Sequence, residues 1–304
     1  MNNSFKYSRD VQIALSNGEP VLALESTIIA HGMPYPQNLE FAHEAEEVAR
    51  KFGATPATIA ILHGKVCIGL DNDQLEVLAS DKSVKKVATR EIGTTLALGG
   101  HGATTVSSTM RLAHQAGIKV FATGGIGGVH RGAEKDLDIS ADLIELSRTA
   151  VIVVSAGAKA ILDLPKTLEY LETMSVPVIG YGTTDFPAFY SSRSGLELHQ
   201  SLSSPEDIAT AFEAQCSLGI ESGMLIANPA PGEIEIPLDE MSVIIDVALK
   251  DAAKAGIMGK ELTPYLLGRI VELTEGRSLV TNRALALNNV LIGAKIAVSL
   301  AERA

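Results

Sequence analysis

Tryptophan is absent, and only two of the 304 residues are cysteine. Cys67 and Cys216 lie far apart with no CxxC pattern, which argues against a disulfide framework and a zinc cluster and fits a reducing cytosol. Basic residues are outnumbered: 25 Lys plus Arg face 36 Asp plus Glu, for a formal net charge of -11. A phosphate-rich polymer is repelled on average, so nucleic-acid binding is not expected. A small anionic substrate remains compatible, because a few cations and backbone N–H groups in one cleft outweigh the global sign locally. Long apolar runs are lacking too. The opening MNNSFKYSRD has no stretch of signal-peptide type, and no run approaches the roughly 20 apolar residues that span a bilayer. Neither export nor membrane insertion is expected, and the expected location is the cytoplasm.

The chain does contain enough apolar material, 46% of its residues, to bury a sizeable core. Short runs rich in Val, Ile and Ala recur: VLALES at 21–26, TIAIL at 58–62, KVFAT at 119–123, AVIVVSAG at 150–157, VPVIGYG at 176–182 and MLIAN at 224–228. They read as buried strands. Amphipathic segments at 38–53 and 104–117 each close on a glycine suited to a helix C-cap, and 203–218 opens on Ser and Pro at cap positions. LTPYLLGRIVELTEG and the Ala/Leu-rich stretch from Leu279 to Ala304 are helical in period. No linker or fixed-period repeat divides the chain. The expectation is an α/β fold: a single domain over 1–304, a largely parallel mixed sheet flanked by helices in an α/β/α arrangement, and a helical C-terminal part.

In such sheets ligands bind beyond the carboxyl ends of the strands. There the sequence delivers Glu25, Ser26 and Thr27 after 21–24, Thr123 and a glycine-rich loop after 119–122, and Gly157, Ala158 and Lys159 after 150–155. The loop TGGIGGVHRGAEKDLDISAD packs four glycines into five residues, then places His130, Arg131, Asp136, Asp138 and Asp142. Its backbone N–H groups could cradle an anion, or the loop could be a turn with solvated charges. It matches neither a dinucleotide fingerprint nor a P-loop.

Asp138 and Asp142 would share a face of a continuous helix, although Ser140 could instead cap a helix starting near Ala141. Carboxylates without cysteine suit Mg²⁺ or Mn²⁺, but the spacing alone favours an ordinary capping pair over a metal site. Lys159, delivered from a buried strand, is either a desolvated amine able to form a Schiff base or a helix-start lysine reaching solvent. Glu25 is either a general acid with a raised pKa or a carboxylate paired in the core. Lys86 and His31 are candidates for phosphate or base contact. His43 and His114 fall within helices as structural or exposed residues, while His63 and His101 beside glycines stay ambiguous.

Taken together, ALESTIIAHGMPYPQN, PATIAILHGKVCIGL, GATTVSSTM, FATGGIGGVHRGAEKDLDISADL and VSAGAKAILDLPKTLEYLET resemble the pseudouridine-5′-phosphate glycosidase, or indigoidine-synthase-A-like, family. ANPAP, GKELTPYLL and SLVTNRALALNN continue the resemblance toward the C-terminus, while 186–215 carries no distinctive motif. The resemblance implies that Lys159 of SAGAK is the covalent nucleophile and Glu25 of ALEST the proton donor. It places a manganese ion on Asp138 and substrate contacts on Ser140, Ala141, Asp142, Lys86 and Val106, and further on Thr123, His130 and Asn282. The implied reaction joins uracil and D-ribose 5-phosphate into pseudouridine 5′-phosphate and water, run in the cell toward breakdown by a homotrimer. Two other readings compete: a different phosphosugar enzyme, either a Schiff-base aldolase or an N-glycosidase, and a non-catalytic phosphosugar-binding protein. Turnover, and the difference between pseudouridine 5′-phosphate and uridine 5′-phosphate as substrates, separate the three.

Overall fold

A computed structural model describes residues 5–257, 259 and 262–303. Residues 1–4 of the opening MNNSFKYSRD, Lys260 and Glu261 of GKELTPYLL, and Ala304 lie outside the described residues. In chain order come β1 (Phe5–Tyr7), α1 (Arg9–Asn17), β2 (Val21–Leu24), α2 (Thr27–His31), α3 (Gln37–Lys51), β3 (Thr55–Leu62), β4 (Lys65–Ile68), α4 (Asn72–Ser80), β5 (Lys85–Val87), α5 (Ile92–Ala97), β6 (Gly102–Thr104) and α6 (Val106–Ala116). Then follow β7 (Val120–Ala122), α7 (Ala133–Asp136), α8 (Ala141–Leu146), β8 (Ile152–Ser155), α9 (Leu164–Thr173), β9 (Val178–Tyr181), β10 (Gln200–Leu202), α10 (Pro205–Ser217), β11 (Met224–Ala227), α11 (Leu238–Ala255), α12 (Leu262–Leu273) and α13 (Arg277–Ala301).

All six apolar runs are strands, and the fold is the expected α/β architecture with a mixed, largely parallel sheet. Its order is β1-β4-β3-β2-β7-β8-β11-β9-β10, with β6 joining β3 and β5 joining β6. Among the strands of the described residues, only the pairings of β3 with β4 and with β6 are antiparallel. Strands β2, β8 and β11 are buried along their whole length, because helices cover both sheet faces. That burial is why their sequences are continuous apolar runs. The eight-residue β3 spans two parts of the sheet: Thr55–Thr58 pair with β2, and Ile59–Leu62 with β4.

The expected glycine stop of 104–117 is realised at Gly117, whose φ of 86° suits a residue without Cβ. Helix α10 begins on Ser204, whose hydroxyl accepts from the Asp207 amide. The last helix, α13, is long and apolar enough to cross a membrane by length and composition alone, although Asn282, Arg283, Asn288, Asn289 and Lys295 interrupt it so that it holds no unbroken apolar run. Yet 61% of its apolar window is buried inside the protein, where it packs against β2, β7 and β8. It lies so close to the sheet that a Cβ on Gly293 would stand 2.9 Å from Leu22 Cδ1 and 3.2 Å from Ala122 Cβ.

Candidate active site

The strand ends converge on a cleft of about 310 Å³. Glu25 follows β2, Lys86 sits on β5, the glycine-rich loop leaves β7 and Lys159 follows β8. Beyond its end, β8 keeps company with the loop from β7: Ile126 N–H donates to Gly157 O at 3.1 Å, and Lys159 N–H to Ile126 O at 3.0 Å. This extension of the parallel ladder turns Lys159 inward. Its Nζ donates to Gly125 O at 3.0 Å and lines the cleft instead of reaching for solvent.

Glu25 faces the same cleft, and Thr123 Oγ1 donates a hydrogen bond to its carboxylate. Burial pushes the Glu25 carboxyl above its ordinary range, opposed by the positive Lys159 and by the Thr123 hydrogen bond. A carboxyl held above its ordinary range by burial thus shares a cleft with a primary amine. That combination suits proton donation beside covalent capture of a carbonyl.

The glycine-rich loop takes part of its shape from an internal anion. Asp142 accepts from Gly127 N–H at 2.8 Å through Oδ2 and from Ser107 N–H, in the first turn of α6, at 2.9 Å through Oδ1. The Gly127 amide is therefore spent on the protein's own carboxylate. A Cβ on Gly127 would lie 2.2 Å from Ser140 Oγ and 2.7 Å from Asp142 Oδ2, and one on Gly125 only 2.5 Å from the Phe189 ring. These positions need glycine for close approach.

Ser140 caps α8 by accepting from the Asp142 amide at 3.2 Å, so Asp138 stands outside the helix and does not share a face with Asp142. The Asp138 side chain is 38% exposed and faces His130 Nδ1 at 4.0 Å. Burial lowers the His130 pKa, against the pull of Asp138 and Asp136. No group of three or more His, Cys, Asp or Glu able to hold a metal occurs among the described residues. Asp138 thus offers the cleft one partly exposed carboxylate, an oxygen donor of the kind that hard cations such as Mg²⁺ and Mn²⁺ take.

Val106, Ser140, Ala141, His130 and Asn282 also line the cleft. Asn282 Oδ1 is buried with no hydrogen-bond partner among the described residues, an acceptor left for a donor from outside the chain. Thr123 alone of the expected contacts does not line it and instead supports Glu25 from behind. His31 lines it from the end of α2, whereas the rings of His63 and His101 meet edge to face elsewhere, 4.4 Å between centroids. Sequence reasoning missed Arg90, Glu91, Phe189 and the α12 residues Thr263, Pro264 and Leu267, all of which line the cleft. Phe189 comes from the stretch 186–215 that bore no motif.

The sequence model of the family described as indigoidine synthase A like protein matches residues 10–299. A pseudouridine-5′-phosphate glycosidase of Deinococcus radiodurans is 57% identical over 292 residues, covering 96% of this chain and 93% of its own. One from Staphylococcus aureus is 53% identical over 295 residues, covering 97% and 96%. Among solved structures, a prealnumycin C-glycosynthase in complex with ribulose 5-phosphate is similar with a TM-score of 0.92 at 36% identity, over 100% of this chain and 99% of its own. An indigoidine synthase A-like protein from Thermotoga maritima gives a TM-score of 0.89 at 37% identity, over 99% and 98%.

Proposed function

The chain belongs to the indigoidine synthase A-like family, and from that premise we propose that it is a pseudouridine-5′-phosphate glycosidase, reversibly cleaving the C–C glycosidic bond to uracil and D-ribose 5-phosphate. The observation that carries the reading is the meeting of Glu25 and Lys159 in one cleft, both touched by the loop segment 123–125.

A carbon leaving group has no heteroatom to protonate, so the bond needs an electron sink. Glu25 protonates the ribose ring oxygen as the C1′–O4′ bond breaks, and Lys159 Nζ bonds to C1′ and returns a proton to the Glu25 carboxylate. When the nitrogen lone pair forms the C1′=N bond, the C1′–C5 bond breaks and its electrons stay on uracil C5, which takes a proton from Glu25. One water hydrolyses the imine, releasing the ribose 5-phosphate aldehyde and restoring the amine. Lys86 supplies a cation suited to the phosphate, and Val106 at the start of α6 lines the cleft with it. Asn282 Oδ1 offers its open acceptor to a base N–H or sugar hydroxyl.

Asp138 would hold a Mn²⁺ or Mg²⁺ ion with its waters, and the bound ion would supply fixed positive charge and orientation for the substrate oxygens. The subunits are read as forming a cytoplasmic homotrimer, on the strength of the family resemblance and the cysteine usage.

Incubation with ribose 5-phosphate and borohydride should add one reduced pentose phosphate to the protein, mapped to Lys159 by peptide mass spectrometry and lost in Lys159→Ala. Pseudouridine 5′-phosphate should be cleaved and uridine 5′-phosphate left intact, with chelation silencing turnover and Mn²⁺ restoring it. An adduct on Lys86 instead, or turnover by Lys159→Ala, would refute the mechanism.

A further inference from the structure

A fully buried asparagine stands behind the cleft without lining it. Asn289, on α13, donates through Nδ2 to Thr123 O at 2.8 Å and Gly124 O at 3.3 Å. Its Oδ1 accepts from Asn228 Nδ2 at 2.8 Å, and Asn228, just past β11, donates its own N–H to Ser155 O at 2.8 Å. Two carbonyls against one side of the Asn289 amide fix which atom is nitrogen, so the group has a single orientation. The ends of β7, β8 and β11 are joined through this relay.

What the relay grips is the segment that touches both reacting side chains. Thr123, whose carbonyl Asn289 holds, donates its hydroxyl to Glu25; Gly125, one residue beyond Gly124, accepts from Lys159 Nζ at 3.0 Å. Gly124 O also accepts from Ala156 N–H at 3.0 Å on the strand that leads to Lys159. We propose that Asn289, oriented by Asn228, is a positioning residue that sets the separation of the acid and the nucleophile by clamping the Thr123–Gly124 backbone. The inference rests on the reading of Glu25 and Lys159 given above. An amide is required here because the two carbonyls need a donor and Asn228 needs an acceptor, which neither Asp nor Leu supplies together.

The test compares Asn289→Leu, of similar volume, and Asn228→Ala, which leaves the clamp but removes its orienting donor. Both are measured with pseudouridine 5′-phosphate, with rates divided by the number of sites that borohydride traps on Lys159. Displacement of a reacting group by about 1 Å costs on the order of 10²-fold, so kcat per trapped site should fall about 10- to 100-fold in Asn289→Leu, and less in Asn228→Ala, with KM within about twofold. A loosened Thr123 hydroxyl also ceases to hold the Glu25 pKa down, so the basic limb of the kcat profile should move to higher pH in both variants and in Thr123→Val. Unchanged kcat per trapped site with an unmoved limb would overturn the inference, even if fewer sites fold. A rise in KM alone would do the same. If the unsubstituted protein neither cleaves the substrate nor traps the sugar, the functional reading itself fails and takes the inference with it.

Discussion

At the scale of single residues, Glu25 is held in a state that costs the fold something. Its pKa is raised by burial, so between the ordinary carboxylate value of 4.5 and the raised folded value the native state binds the extra proton and the unfolded chain does not. Stability therefore falls as pH rises through that window, at about 1.4 kcal/mol per pH unit, and the deficit persists at higher pH. Glu25→Gln should consequently melt higher than the unsubstituted protein at pH 7 while its chemistry slows about 10²–10⁴-fold. Scanning calorimetry at pH 4 and pH 7 tests the first part, since the gain should shrink at the lower pH. A variant that loses both activity and stability would make Glu25 a packing residue. Glu25 and Lys159 were legible in sequence because each ends an apolar run, where an ionisable group has few structural reasons to be. Asn289 and Asn228 gave no such signal, because an asparagine side chain reveals its partners only when distant strands are brought together.

At the scale of elements, strands that are apolar runs were readable, down to the three-residue β7, and short strands without such a run were not. Strands β5, β6 and β10 have three residues each, too few to show any period. The helix α8 shows how a short element can be fixed by charge where length cannot do it. Glu145, fully buried, meets Arg111 at 2.8 Å and Arg148 at 3.0 Å and accepts from Thr149 and Thr89, tying α8 to α6 and to the turn after β5. The same six-residue helix carries Asp142 and, through Ser140, one wall of the cleft. Removing the shared carboxylate should cost about 3–5 kcal/mol in Glu145→Ala, the range for breaking a buried pair. Arg148→Ala, whose side chain is half exposed, should cost at most about 1 kcal/mol. Urea denaturation of both variants decides it, and equal small losses would mean that α8 is held by packing alone.

At the scale of the whole molecule, the fold depends on how closely α13 lies across the sheet. Gly293→Val should drive a branched side chain into Leu22 and Ala122 and destabilise the protein by about 1–3 kcal/mol. Because Asn282 and Asn289 ride on the same helix, the variant should also lose kcat at temperatures where it remains folded. A melting midpoint at or above that of the unsubstituted protein would show that the sheet yields at this contact. Composition alone made α13 look apolar and helical without indicating which face would meet the strands.

The chain order of the cleft has a consequence for synthesis. Glu25 leaves the ribosome early, Lys159 near the middle and α13 last, so at roughly 5–20 residues per second the amine precedes the clamp by several seconds. During those seconds a nascent chain carries the lysine without the frame that aims it. On the role proposed for Lys159, the amine is aimed into the completed cleft only when translation has delivered α13.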